Sequence, residues 1–295
     1  MGIVILIPVA FLVYLRIVMY SPGLVEEVEY TSGNQTVYTG DTLSVLSFNI
    51  GYAGYNKDED FFMDGGKGVL PGSRDEVMEN LSGIAAIIEG EDCDIVFAQE
   101  VDTDSHRSYN INENAYLKSS TGLANAYACN YSVVFVPYPI PPIGKVNSGI
   151  STYTNLEVTE ASRYALPDTA PWYMTMGYLK RCLLVERIPV VGSEHELVIV
   201  NQHLEAYTEE ENRDMQMGVL NALIEDEYQR GNYVIVGGDF NQAFSVNDNP
   251  PVLSDTGWLP GSIAPEDLPD GFHLAVADNA PSCRSLEEPF TDNET

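Results

Sequence analysis

Residues 197–203 read Leu-Val-Ile-Val-Asn-Gln-His, and residues 233–241 read Tyr-Val-Ile-Val-Gly-Gly-Asp-Phe-Asn. Each opens as a short β-branched run of the kind buried on both faces of a sheet, and each stops abruptly at polar side chains. Between them Thr208-Glu-Glu-Glu211 fits a helix capping box, Met215, Val219, Leu220 and Leu223 recur on one helical face, and Gly231 supplies a stop. The segment therefore reads strand, helix, strand.

The same grammar occurs upstream. Leu43-Ser-Val-Leu-Ser-Phe48 alternates and runs out at Asn49, Ser73-Arg-Asp-Glu76 is a second capping box, and Val77, Leu81, Ile84 and Ile88 share a face before Gly90. Asp94-Ile-Val-Phe-Ala98 then reads as a buried strand ended by Gln99-Glu100. Between these halves Tyr131–Val136, Gly149–Val158 and Cys182–Ile188 are strand-like, with no strong helix among them. The mixture predicts an α/β sandwich with mixed sheets. Ligands gather outside strand ends in such sheets, so Asn49, Glu100, His203 and Asp239 are expected to share one edge.

The remaining chain bounds the answer. It has 295 residues with 14 Lys or Arg against 44 Asp or Glu, a formal net charge of -30. A hydrophobic content of 44% with 18 Tyr and 10 Phe excludes general disorder. The charge disfavours broad binding of duplex DNA, which needs clustered cations; from Ile188 onward only Arg213, Arg230 and Arg284 are basic. Cys93, Cys129, Cys182 and Cys283 show no C-x-x-C pair and read as small hydrophobes rather than a disulfide framework.

Ile3 to Tyr20 is apolar except for Arg16 and is interrupted by Pro8. It lacks the basic start and the small-residue cleavage site of a signal peptide. Residues 1–20 are therefore expected to be an uncleaved transmembrane anchor, 21–41 a polar linker and 42–295 the folded domain, facing outside the cytoplasm.

Taken singly, each polar strand end is ambiguous. Glu100 is either a residue reaching water or a carboxylate held by a cation. Gly-Asp-Phe-Asn at 238–241 is either a tight turn or a carboxylate and amide on one side of an extended chain, able to hold a hard cation and orient a phosphate oxygen. His203 is either a satisfied half-buried histidine or a donor and general acid. His106, His195 and His273 carry no assignment.

In combination and in this order, Leu46-Ser-Phe-Asn49, Ile95-Val-Phe-Ala-Gln-Glu100, Val200-Asn-Gln-His-Leu204 and Gly237-Gly-Asp-Phe-Asn241 resemble the endonuclease/exonuclease/phosphatase superfamily, the DNase I-like phosphoesterases. Ser148-Gly-Ile150 and Ala161-Ser-Arg163 look like its central strand pair, and the resemblance runs from about Leu43 to Asp278. It implies a four-layer α/β sandwich that hydrolyses a phosphate ester with Mg²⁺, or Mn²⁺. Glu100 is then the principal metal ligand with Asn49 beside it, Asp239 positions or activates the attacking water, and Asn241 and His203 steady the phosphoryl oxygens. A cation at this point offsets the charge that grows on phosphate during attack.

The resemblance also implies closing strands with a Ser-Asp-His motif, whose His is the usual general base. After Asp278-Asn-Ala-Pro-Ser-Cys-Arg284 the sequence given reaches Phe290 and Thr295 without one, and His273 lies before the place of those strands. The expectation is a piece of a longer reading frame with little or no activity as given, since losing a general base costs about 10²–10⁴ in rate. The substrate classes in view are nucleic acid, a phospholipid headgroup, a phosphoinositide or a small phosphate ester. Loops 52–72 and 137–142 are the expected rims of the site. The calcineurin-like phosphoesterases match poorly, because no D-x-H and no G-N-H is present. The alternative is an inactive surface binding module that keeps the fold.

Overall fold

Both strand–helix–strand readings hold in the computed structural model, which describes residues 13–171, 174–206, 210–245, 261–276, 286 and 289. The first unit is β3 (Val45–Asn49), α1 (Arg74–Glu91) and β4 (Ile95–Asp102), with β3 and β4 parallel. The second is β9 (Glu196–His203), α3 (Glu210–Gln229) and β10 (Tyr233–Asp239), again a parallel pair. A helical crossover is what a parallel pair requires.

Helix α1 starts where its cap was read: the Ser73 hydroxyl accepts from the Glu76 amide at 3.2 Å. Val77, Leu81, Ile84, Ala85 and Ile88 form its buried face. Fully burying each Leu or Ile contributes about 1.5–3 kcal/mol. Gly90 is not the stop; the helix continues to Glu91 and ends at Asp92, which takes a left-handed φ of 46°. The inner face of α3 is also rotated from its expected place. Met217, Leu220 and Ile224 are buried there, Val219 and Leu223 pack at its margin, and Met215 is exposed.

Two mixed sheets organise the rest. One has the order β3-β4-β6-β5, built on the long antiparallel pair β5 (Ala124–Val136) and β6 (Gly144–Thr154). The other has the order β1-β7-β8-β9-β10, with β1 (Val25–Glu27), β7 (Glu160–Ala165) and β8 (Cys182–Val191) antiparallel neighbours, and β2 (Val37–Tyr38) pairing the end of β8. A separate parallel pair joins β11 (Gln242–Phe244) to β12 (Gly261–Ile263). Strand β6 thus begins earlier and ends earlier than the expected 149–158.

A helix missing from the sequence reading, α2 (Glu113–Thr121), lies between the halves. It buries only Glu113 and Leu117, so its apolar periodicity is too thin to announce it. Its start is capped by Asn112, which accepts from the Ala115 amide at 2.9 Å.

The core has three levels. Helices α1 and α2 cover the first sheet through Val77, Leu81, Ile88, Leu117, Val96 and Ala98. Helix α3 covers the second through Leu220, Ile224, Val185, Val198 and Val200. Between the sheets, Ile95 and Phe97 from β4 meet Ile188, Leu197 and Ile199 from β8 and β9. Strands β4 and β9, buried along nearly their whole length, explain the continuous apolar runs from which they were read, whereas β10, expected to be buried alike, is a half-exposed sheet edge.

Residues 21–41, expected as a linker, are woven into the domain instead. Besides β1 and β2, Tyr30 bridges Ala126 and Gln35 bridges Leu156, so this stretch touches both sheets. Val37 is buried between them. Residues 13–18 are helical; the preceding part of the expected anchor, residues 1–12, lies outside the described residues, as do Thr208 of the second capping box, Asp278–Arg284 with Cys283, and Phe290 to Thr295. Among the described residues no helix is long and apolar enough to cross a membrane. Cys93, Cys129 and Cys182 are free thiols.

Candidate functional site

Side chains at one mouth of the gap between the sheets meet in a small polar centre. Strand alternation sends Ile95 and Phe97 into the gap, so Gln99 follows them; Leu197 and Ile199 do the same for Asn201 and His203. Asp239 stands directly opposite His203 across the β9–β10 pair. The Asn49 side-chain nitrogen donates to Glu100 Oε1 at 3.0 Å and to Asp239 Oδ2 at 2.8 Å. One amide therefore joins carboxylates from both sheets. His203 Nε2 lies 3.8 Å from Asp239 Oδ2.

Different backbone devices aim the two acids. Strand β4 does not stop at Gln99-Glu100 as expected but continues to Asp102 through a bulge between Ala98 and Val101. Glu100 sits in that bulge with a left-handed φ of 55°, a conformation that costs a non-glycine residue roughly 1–3 kcal/mol. On β10 the approach is made by glycines. A Cβ on Gly237 would stand 2.2 Å from the Phe97 ring, and one on Gly238, at φ 131°, would stand 2.0 Å from the Gln202 carbonyl oxygen.

Asn241 differs from its expected extended placement. It turns left-handed at φ 51°, its amide N–H donates to Asp239 Oδ1 at 2.9 Å, and its side-chain nitrogen donates to the Leu204 carbonyl at 2.8 Å. Asparagine tolerates this conformation better than most residues. One hydrogen of that nitrogen remains for another acceptor.

Behind the centre lie residues that the sequence reading did not single out. Gln99 Nε2 donates to Asn201 Oδ1 at 2.8 Å, and Asn201 returns donors to the Ala98 and Ser151 carbonyls at 3.3 and 3.0 Å, clipping the sheets together. Buried Asp102 accepts a fork from Arg107 at 3.0 and 2.9 Å and a bond from the Ser108 hydroxyl at 3.0 Å. The Arg107 guanidinium lies 3.8 Å over the Tyr52 ring. Glu113 accepts from the Asp102 amide at 2.8 Å, and burial, reinforced by the Asp102 charge, pushes its carboxyl well up. The sequence trace of this network is the place of Gln99 next to Glu100 and of Asn201 two residues before His203.

His203 is buried, and its imidazole is held down to about 4, first by burial and then by Arg181, against the pull of Asp239 and Glu100. Arg181 supplies that charge at close range, donating to the His203 carbonyl at 3.0 Å and to Glu205 at 3.3 Å. At neutral pH His203 is therefore a neutral ring, able to donate one hydrogen bond.

Among the described residues no group of three or more His, Cys, Asp or Glu is arranged around one point. The donors that do meet are hard oxygens on two carboxylates, which fits Mg²⁺, an ion commonly held by one or two carboxylates while it keeps several waters. Glu100 engages Asn49 through Oε1, which leaves Oε2 to face a cation. Asn49, expected beside the metal ligand, presents its nitrogen to the acids and its oxygen to the Gly51 amide at 3.0 Å.

The two loops expected as rims touch one another. Edge-to-face and tilted ring contacts run from Tyr52 to Tyr55, Phe61, Phe62 and Tyr138, with centroid spacings of 5.1, 5.4, 4.9 and 5.9 Å.

Comparison with known proteins places the chain in context. Residues 46–286 match the family described as the Endonuclease/Exonuclease/phosphatase family. No curated protein matches. Similar solved structures include an endonuclease/exonuclease/phosphatase from Beutenbergia cavernae DSM 12333, with 20% identity, a TM-score of 0.48, and coverage of 68% of this chain and 47% of that one. The human Nocturnin catalytic domain with bound sulfate shares 18% identity at a TM-score of 0.43, covering 72% and 68%. D. rerio TDP2 complexed with single-strand DNA product shares 18% at 0.41, covering 68% and 61%. The chain spans about half the length of the first of these structures.

Proposed function

Because the chain belongs to the endonuclease/exonuclease/phosphatase family, we propose that Asn49, Glu100, His203, Asp239 and Asn241 form the centre of a metal-dependent phosphoesterase. The observation that carries this reading is the single Asn49 amide bonded to carboxylates from both sheets. In this reading the two sheets and their outer helices make the four-layer sandwich of DNase I-like enzymes, residues 21–41 belong to the domain together with the chain that follows them, and residues 3–20 tether it to a membrane with the domain outside the cytoplasm.

Each side chain has a defined task. Glu100 would hold Mg²⁺ or Mn²⁺, whose charge offsets that growing on the phosphate oxygens. Asp239 accepts a proton-bearing partner at the open face of the centre and orients a water toward phosphorus. His203, neutral and fixed by burial, donates to a phosphoryl oxygen, and Asn241 does the same with its remaining N–H. Asn49 keeps the two acids at a fixed separation. The substrate is a phosphate ester.

Metal binding tests the reading without requiring turnover. Titrating the chain with Mn²⁺, followed by the loss of the free-ion paramagnetic resonance signal, should reveal a site that Glu100→Gln weakens by about tenfold or more, a change of about 1.4 kcal/mol. A wild-type chain that takes up no Mn²⁺, or a variant that binds equally well, defeats the proposal. Hydrolysis of bis(p-nitrophenyl) phosphate in the same samples then reports activity separately.

A further inference from the structure

A second, oppositely charged feature lies on the same edge of the molecule. Arg16, Arg163, Lys180 and Arg181 line one cavity of about 330 Å³, together with Met19 and Thr175. Four of the 14 Lys and Arg of a chain with net charge -30 thus converge at one point. The volume lies at the lower end of the roughly 300–1,000 Å³ typical of small-ligand sites.

The cations are only partly neutralised. Lys180 pairs with Asp168 at 3.1 Å and Arg181 with Glu205 at 3.3 Å. Arg163 is 1% exposed and spends two nitrogens on the Cys129 and Lys180 carbonyls at 3.0 and 2.6 Å, while its third, Nη1, is buried with no hydrogen-bond partner. Arg16 donates to the Met19 sulfur at 3.4 Å, a weak acceptor. Arg163 lends its buried charge to the wall of the cavity while Arg16 reaches it from the surface, and a cavity walled by four cations of which two are ion-paired favours an anion, phosphate oxygens suiting the planar fork of arginine.

Sheet topology relates this cavity to the acids. Strand β7 ends and β8 begins at the edge where β9 ends, and Arg181, just before β8, donates to the His203 carbonyl. Strand β1 also starts at this edge, because Val25 pairs with Tyr164, so the N-terminal helical residues and Arg16 come off the same side. The edge therefore carries an acidic centre and a separate basic cavity.

We propose that this cavity is a phosphate-anion site, distinct from the Glu100–Asp239 centre, that takes the phosphate of a soluble phosphate ester or of a lipid headgroup. Its test does not depend on catalysis. Calorimetric titration of the full chain with inorganic phosphate, in the absence of divalent metal, should show one site. Arg16→Gln and Lys180→Gln should each weaken it by about fivefold or more, the loss of one charge-assisted hydrogen bond. Arg16 is exposed, so its variant should melt like wild type, whereas Lys180 is half-buried and paired with Asp168, so its variant is titrated well below its own melting midpoint. Glu100→Gln leaves phosphate binding unchanged, which separates failure here from failure of the phosphoesterase reading.

Displacement of bound radiolabelled phosphate identifies the source. Release by phosphatidylcholine vesicles containing phosphatidylglycerol assigns a headgroup, whereas release by glycerol phosphate alone assigns a soluble ester. No phosphate uptake by wild type, equal uptake by both variants, or displacement by neither competitor overturns the proposal.

Discussion

The two strand–helix–strand units deliver one acid each to the same point by unlike means. In the first, β4 is bent by a bulge and Glu100 itself adopts the left-handed conformation, with Asp102 and Arg107 locked together immediately behind. In the second, β10 stays in register through Asp239, and two glycines remove every Cβ that would obstruct it. Strain is carried by the acid itself in one unit and by its neighbours in the other. The first arrangement leans on a supporting network, and the second on empty space.

The largest effect should come from removing the support. Arg107→Ala leaves Asp102 buried without its partner, at a cost of about 3–5 kcal/mol, read as a fall in the denaturation midpoint. A loss below about 1 kcal/mol would mean that the bulge needs no such prop.

The seam between the units gives the next effect. Glu186 on β8 is fully buried, and burial pushes its carboxyl up to about 8, against a smaller opposing pull from Thr152. The unfolded chain releases this proton near the ordinary carboxylate range, so the native state binds more protons between pH about 5 and 8. Stability should therefore fall as pH rises through that window, by at most about 1.4 kcal/mol per unit from this group. Glu186→Gln should flatten the slope in denaturation curves taken at several pH values, and an unchanged slope would assign the pH dependence elsewhere.

Gly237→Ala tests the second unit directly. Its Cβ meets the Phe97 ring between the sheets, and overpacking of this kind costs about 1–3 kcal/mol. Phe97→Leu should recover part of that loss when the two changes are combined, and strict additivity would deny the contact. The smallest effect is the most discriminating. Glu100→Gly should be more stable than Glu100→Ala by about 1 kcal/mol, because only glycine occupies the left-handed bulge without penalty. The reverse order would show that the bulge relaxes once the carboxylate is gone.

The same contrast explains what could be read in advance. Asn49, His203 and Asp239 were legible because apolar runs end in polar residues where strands stop, and β3, β9 and β10 do stop there, β9 buried and β3 and β10 half-exposed at the sheet edges. The bulge at Glu100 was not, since nothing in Gln99-Glu100-Val101 marks a left-handed residue. Gly237-Gly238 announced close backbone approach but not its object, the Phe97 ring from the other sheet. Arg107 and Arg181 act through contacts distant in sequence or hidden from strand periodicity. The stretch 21–41 read as linker because its polar, turn-rich composition conceals two short edge strands. Helix α2 stayed hidden for a related reason, having one apolar residue to bury.

The bond from Asn49 to Asp239 spans 190 positions of the chain. Closing so long a loop costs entropy that no local contact repays, and pairings of this kind slow the search for the native topology. Neither unit can assemble the centre while the other is unformed. Recovery of cation binding after dilution from denaturant should therefore trail the return of helix and strand signals, making the centre a clock for the last step of folding.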